Sequence, residues 1–212
     1  MGVIVLAGML GVTAFGLALT LVSYVVPPFA SVCAKEEYMH PYSELATRCA
    51  ALTDGLMEEN RAHVLAGLQV SGATRLVKAL QAIELQGAIF AVGMVAMFDA
   101  ALQDALECKD GFQEGLKIIE QAGDTDLVDR FRNVQLAINV LKHGRGRSHK
   151  ELLARREQLP FRVRAEDEFF DEGDVSELAN LIKVDGSFIH YCSETIDLVA
   201  ALVKEKRPSS WV

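Results

Sequence analysis

Apolar positions spaced by four and three recur through most of the chain, and helices are the elements they predict. Leu127, Phe131, Val134, Ile138 and Leu141 advance by 4, 3, 4 and 3, which is one apolar stripe of a helix. Leu76, Leu80, Ile83, Gly87, Phe90, Met94, Met97 and Ala101 keep the same steps and predict a longer helix over about 73–108. Leu45, Cys49, Leu52 and Leu56 mark the apolar side of an earlier helix that opens at Ser43. Phe188, Cys192, Thr195, Val199 and Leu202 do the same for a last helix over about 186–206. A short amphipathic helix is expected over 111–121. From 87 to 98 the chain is apolar on every side, too short to cross a bilayer, and flanked by Glu84 and Asp99. It reads as the central helix of a bundle, buried all round.

Punctuation agrees with these segments. Gly72 breaks or kinks the pattern, Gly123 and Gly144 stop helices, Asp124 and Asp185 have the side chain of an N-cap, and Pro160 and Pro208 end regular structure. Ser148 and Glu151 form an S-x-x-E capping box, so a helix is expected to begin near His149. The segment 178–184 fits either a helix or a short extended piece. The fold class is all-α: an antiparallel helical bundle over 43–207.

The first thirty residues differ. No charge occurs from 3 to 29, and a run of that length is enough to span a bilayer, which needs about 20 apolar residues. No Lys or Arg precedes it and it exceeds the core of a cleavable signal, so residues 1–30 read as a single-pass membrane anchor and 31–42 as a linker. The bundle is placed in the cytoplasm. Met39 opens a segment of ordinary soluble composition, so a second reading starts the natural product there. The four cysteines are far apart and form neither a disulfide scaffold nor a zinc pattern; they read as buried thiols.

Charge changes the picture most. The 212-residue chain has a formal net charge of −8, yet 130–156 holds eight Lys/Arg, two His and only Glu151 as an acid. A basic island in an acidic chain has phosphates or an acidic partner as its natural ligands. At about 100° per residue, Arg132, Asn139 and His143 fall on one polar face opposite the apolar stripe, with Leu136 and Val140 beside them. The turn Gly144-Arg145-Gly146-Arg147 that follows is either a solvated surface turn or a phosphate-contacting loop in which glycine allows close approach and arginine a two-pronged grip. A second charge run, 166–177, has seven acids and no base. It is a solvated loop or a cover for the basic turn. Asp99 and Asp104 read as exposed or paired acids, and His190 as a histidine at the core edge.

No dinucleotide fingerprint, P-loop, H-E-x-x-H or nucleophile elbow occurs. The histidines show no metal spacing, and no metal or cofactor is expected. A long apolar helix ending in acids, followed by a helix with Arg132-Asn133 that closes in Asn139-x-x-Lys142-His143-Gly144, resembles the HEPN superfamily over about 73–204. The resemblance implies a helical bundle that dimerises. It also implies either a metal-independent RNase, with an arginine on the scissile phosphate and a histidine in proton transfer, or a binder of nucleotides or partners. The catalytic set it implies here is His143, Arg132 and Asn139, with Lys142, Arg145, Arg147 and His149 on phosphate. Ten residues separate Arg132 from His143, about 16 Å along a helix, so one helix does not bring both to one phosphate. A dimer across the Leu136–Val140 face would bring them together. Lys142 and His149 have the family gap of six, with lysine in place of arginine.

The expected function is therefore RNA or nucleotide-phosphate binding by a membrane-anchored homodimer, with RNA cleavage as the enzymatic form. Two alternatives stand beside it: an interaction module of the defence or toxin–antitoxin kind, whose basic island docks an acidic partner, and a membrane-anchored helical sensor.

Overall fold

Six α-helices form among residues 41–208, the part of the chain that the computed structural model describes. They are α1 (Tyr42–Leu68), α2 (Thr74–Ala105), α3 (Gly111–Ala122), α4 (Thr125–His143), α5 (Arg147–Leu153) and α6 (Gly186–Lys206). The chain from 154 to 185 is irregular, apart from one 3-10 turn and an isolated antiparallel bridge between Val163 and Ile182. The all-α class holds, and 178–184 is the extended alternative. The expected membrane anchor at 1–30, nearly all of the linker, and Trp211 lie outside the described residues.

Local chemistry sets the helix ends. Asp124 accepts from the Leu127 amide at 2.9 Å and Asp185 from the Phe188 amide at 3.0 Å, each filling one orphan donor of a first turn. Gly123, at φ 78°, closes α3 in the left-handed conformation that glycine adopts without strain. α5 starts two residues earlier than its sequence signal. Ser148 lies inside the first turn rather than at the cap, because the Gly146 carbonyl already accepts from the Lys150 amide at 3.1 Å.

α1 and α2 run antiparallel. The Tyr42 hydroxyl donates to the Met94 carbonyl at 2.6 Å, and at the other end Arg61 meets Glu84 at 3.4 Å. α6 packs on α1, and α4 packs on α2, α3 and α6. Phe131 is central: its ring stacks on Phe112 at 4.8 Å and meets the edge of Phe98 at 6.3 Å. Asp99 fixes α3 to α2 by accepting from the Phe112 amide at 3.0 Å, so it is a paired acid. A Cβ on Gly111 would come 2.6 Å from the Asp99 carbonyl oxygen, so only glycine allows this approach.

Two apolar faces differ from expectation. The buried side of α1 is Ala46, Ala50, Met57 and Val64, while Leu45, Leu52 and Leu56 are exposed. Small residues let α1 lie close to its neighbours, and the leucine stripe points the other way. α2 is not buried all round either. Leu85, Ile89 and Met97 are exposed, since no described element covers that side. Among the described residues α2 is the one helix long and apolar enough to cross a membrane. Among the described cysteines, Cys49 is exposed, Cys108 half-buried and Cys192 buried, so of these three only Cys192 matches a buried thiol; Cys33 lies outside the described residues.

Candidate anion-binding site at the α4–α5 turn

The basic island is divided by what its members touch. Arg130 faces inward: its guanidinium donates to the Thr195 hydroxyl at 2.8 Å and to Glu194 at 2.7 Å, and stacks over the Tyr191 ring at 4.5 Å. It ties α4 to α6. Arg155 pairs with Glu151 at 3.7 Å. Arg145 pairs with Glu166, and Arg156 with Glu168 at 2.9 Å. Arg132, Lys142, Arg147 and Lys150 make no hydrogen bond or ion pair among the described residues. Four cations, two on α4 and two on α5, thus stay uncompensated among the described residues of an acidic chain.

Gly144 ends α4 at φ 70°, its amide donating to the Val140 carbonyl at 2.8 Å. Gly146 is in extended backbone. A Cβ at either glycine would meet nothing within 4 Å, so the turn stands open to a ligand. His149 is buried instead. Its Nε2–H donates to the Arg164 carbonyl at 2.8 Å, which anchors α5 on the irregular segment. That places it away from any phosphate at the surface of the turn.

Two grooves flank the end of α4. One, of about 440 Å³, is lined by His143, Gly144, Arg145, Arg164, Glu166 and Asn180. The other, of about 330 Å³, lies between α2, α3 and α4 and holds Asn139, Lys142, Gln135, Asp99 and Lys109. His143 and Arg145 therefore share one surface, Asn139 and Lys142 share another, and Arg132 lines neither groove. The Leu136–Val140 face that was to carry a dimer belongs to the chain's own core. Val140 is only 3% exposed and Leu136 packs half-buried against it. Asn133, beside Arg132, is also buried.

No family model, curated protein or solved structure matches the chain. The site is thus read from its own chemistry.

The acidic run carries much of that chemistry. Glu168 accepts from the Ala165 amide and from Arg156, and these bonds hold its carboxyl below the usual carboxylate range. The Arg156 guanidinium is shifted upward, chiefly by the same hydrogen bond. Asp171 joins Lys183 and Arg162, and those two bonds lower its pKa as well. Arg164 is buried and has no carboxylate partner among the described residues. It donates to the carbonyls of Asn180 at 2.8 Å, Leu178 at 3.2 Å and Glu168. The Phe170 ring lies under Arg162 and Arg164, at 5.4 and 5.3 Å.

Charge counting over 130–156 missed Arg162 and Arg164 because they lie beyond that window. The alternation Phe161-Arg162-Val163-Arg164 was the available signal. A period of two marks an extended piece with one buried edge, and the bridge to Ile182 forms there. Among the described residues no group of three His, Cys, Asp or Glu side chains is arranged to hold a metal ion.

Proposed function

We propose that this chain is a HEPN-like helical protein that binds RNA or nucleotide phosphates at the turn between α4 and α5. One observation carries the reading: Lys142, Arg147 and Lys150 beside the turn, and Arg132 further back on α4, have no hydrogen-bond or ion-pair partner among the described residues although the chain is acidic overall. Unneutralised cations around an open glycine turn attract phosphate, and arginine matches its geometry with two donors.

The enzymatic form of the proposal is metal-independent cleavage of RNA. Arg145 would hold a phosphate in the groove it shares with His143. His143 would move the proton as the 2′-hydroxyl attacks phosphorus and the bond to the 5′-oxygen breaks. The products would be a 2′,3′-cyclic phosphate and a 5′-hydroxyl. Imidazole is the side chain suited to that transfer near neutral pH. Membrane attachment through residues 1–30 belongs to the same reading; fractionation of cells expressing the chain with and without residues 1–38 tests it.

For the site, labelled single-stranded RNA is mixed with the full-length chain in chelator, and binding and cleavage are followed against salt. Binding should weaken steeply with salt and fall in Arg147→Ala/Lys150→Ala. Cleavage should vanish in His143→Ala while binding stays. Salt-sensitive binding without cleavage would leave a binding module. Absence of both, in the wild type and in Glu166→Gln/Glu168→Gln alike, would end the RNA reading.

A further inference from the structure

Two carboxylates of the acidic run after α5 lie on exposed guanidinium groups, Glu166 on Arg145 and Glu168 on Arg156, whose Nε also has Glu157 at 3.4 Å. Glu166 covers Arg145, with side chains 55% and 67% exposed. Glu168 presents both oxygens to Arg156 Nη1, at 3.0 and 2.9 Å. The backbone behind these side chains is held firmly. Arg164 grips the Glu168 carbonyl, Phe170 packs under Arg162 and Arg164, and Asp171 is tied to Arg162 and Lys183. The Glu166 carboxylate can therefore swing off Arg145 while the chain that carries it stays in place; the Glu168 carboxylate, which also accepts from the Ala165 amide at 2.9 Å, can turn one oxygen off Arg156 and keep that bond.

A third groove, of about 460 Å³, adjoins the one that holds His143 and Arg145. Arg156, Arg162, Phe169 and Glu168 line it, and Arg164 lines both grooves. Phe169 is 69% exposed and leaves an aromatic face bare beside two arginines. Arginine and an exposed aromatic in one groove are the elements that hold single-stranded nucleic acid, one taking the backbone and the other a base.

We propose that Arg145 and Arg156 are phosphate subsites of one single-stranded RNA track, occupied in this structure by Glu166 and Glu168, with Phe169 as a stacking platform for a base. The proposal rests on the RNA-binding reading above and adds to it a substrate class and an internal competitor. Carboxylate and phosphate fit the same guanidinium donors. Exposed ion pairs are weak and exchange readily. A strand that brings several phosphates at once displaces two separate carboxylates, whereas a free mononucleotide meets them one at a time. A duplex keeps its bases paired and has none to lay on Phe169.

The test measures binding of labelled single-stranded oligouridylate, and of a duplex of equal length, to the full-length chain. Glu166→Gln/Glu168→Gln should bind the single strand about ten-fold tighter or more, since two competing charges are gone, Arg145 is freed and Arg156 keeps Glu157 alone. Glu166→Gln alone, at the more exposed pair, should move the same way. Phe169→Ala in the double variant should weaken single-strand binding about five-fold or more and leave the duplex unchanged. Thermal melts of each variant accompany the titrations. If wild type binds and depends on Arg147 and Lys150, yet neither glutamine variant binds tighter, the track falls and the RNA reading stands. If neither wild type nor variants bind, both fall. Equal tightening for duplex, or indifference to Phe169→Ala, overturns the track as a single-strand site.

Discussion

Replacing Arg164 by Met removes the guanidinium and keeps most of the stem. Three main-chain carbonyls, of Asn180, Leu178 and Glu168, lose a charged donor. Hydrogen bonds to a charged group are each worth about 1.5–3 kcal/mol. Their sum is an overestimate, because the variant no longer buries a cation and the released carbonyls can turn toward water. The expected net loss is about 2–4 kcal/mol. At about 2–4 °C per kcal/mol for a domain of this size, the melting temperature should fall by roughly 4–16 °C. The damage should be local first. Glu168, Leu178 and Asn180 bracket the stretch that Arg164 holds, so chymotrypsin should gain access at Phe169 and Phe170 before the helices are cut. Urea denaturation followed by circular dichroism gives the stability, and mass mapping of a timed digest gives the first cleavage. A loss below about 0.5 kcal/mol with an unchanged digest would show that Arg164 does not hold the segment, and the description of a pinned backbone would be wrong.

Three other outcomes follow from particular contacts. Phe131→Ala empties the space between Phe98 and Phe112 and should cost about 3–5 kcal/mol in urea titration. Glu168 and Asp171 have folded pKa values below their ordinary 4.5 and 3.8, so each stabilises the fold above that ordinary value and loses its contribution as pH falls through the lowered one. The Nη–H signals of Arg156 and Arg162, which donate to Glu168 and Asp171, should therefore shift in NMR spectra on acidification below about pH 4.5, and Glu168→Gln should reduce the Arg156 change. Cys49 should react with an alkylating reagent in the native protein while Cys192, buried and with its thiol pushed upward by burial, reacts only after denaturation. Peptide mapping of the labelled protein distinguishes the two.

Helix positions were legible where local chemistry decides them. Asp124, Gly123 and Asp185 mark ends that depend on residues within four positions, and α6 occupies the range its stripe predicts. Which stripe faces inward is a different matter. On α1 the leucines at 45, 52 and 56 and the small residues at 46 and 50 both repeat with a helical period. Periodicity alone does not choose between them; the choice falls to the helix that packs there, and close packing takes the alanines. α2 shows the same limit, since an apolar surface was read as a covered one.

The site was legible as a concentration of charge and illegible as an arrangement. Arg130 is neutralised by Glu194, sixty-four residues away, and His149 is buried by a carbonyl fifteen residues later. Neither contact leaves a trace in local spacing. Asn139 and His143 are one turn apart and should share a face, yet they line different grooves. The reason lies at the helix end. Asn139 sits where α2 and α3 still flank α4, whereas His143 is the last helical residue, where the chain bends at Gly144 and the irregular segment comes alongside. A face drawn on an ideal helix assumes one environment along its length. At α4 that environment changes within a single turn, and the change separates His143 from Asn139 and joins it to Arg145, Arg164 and Glu166.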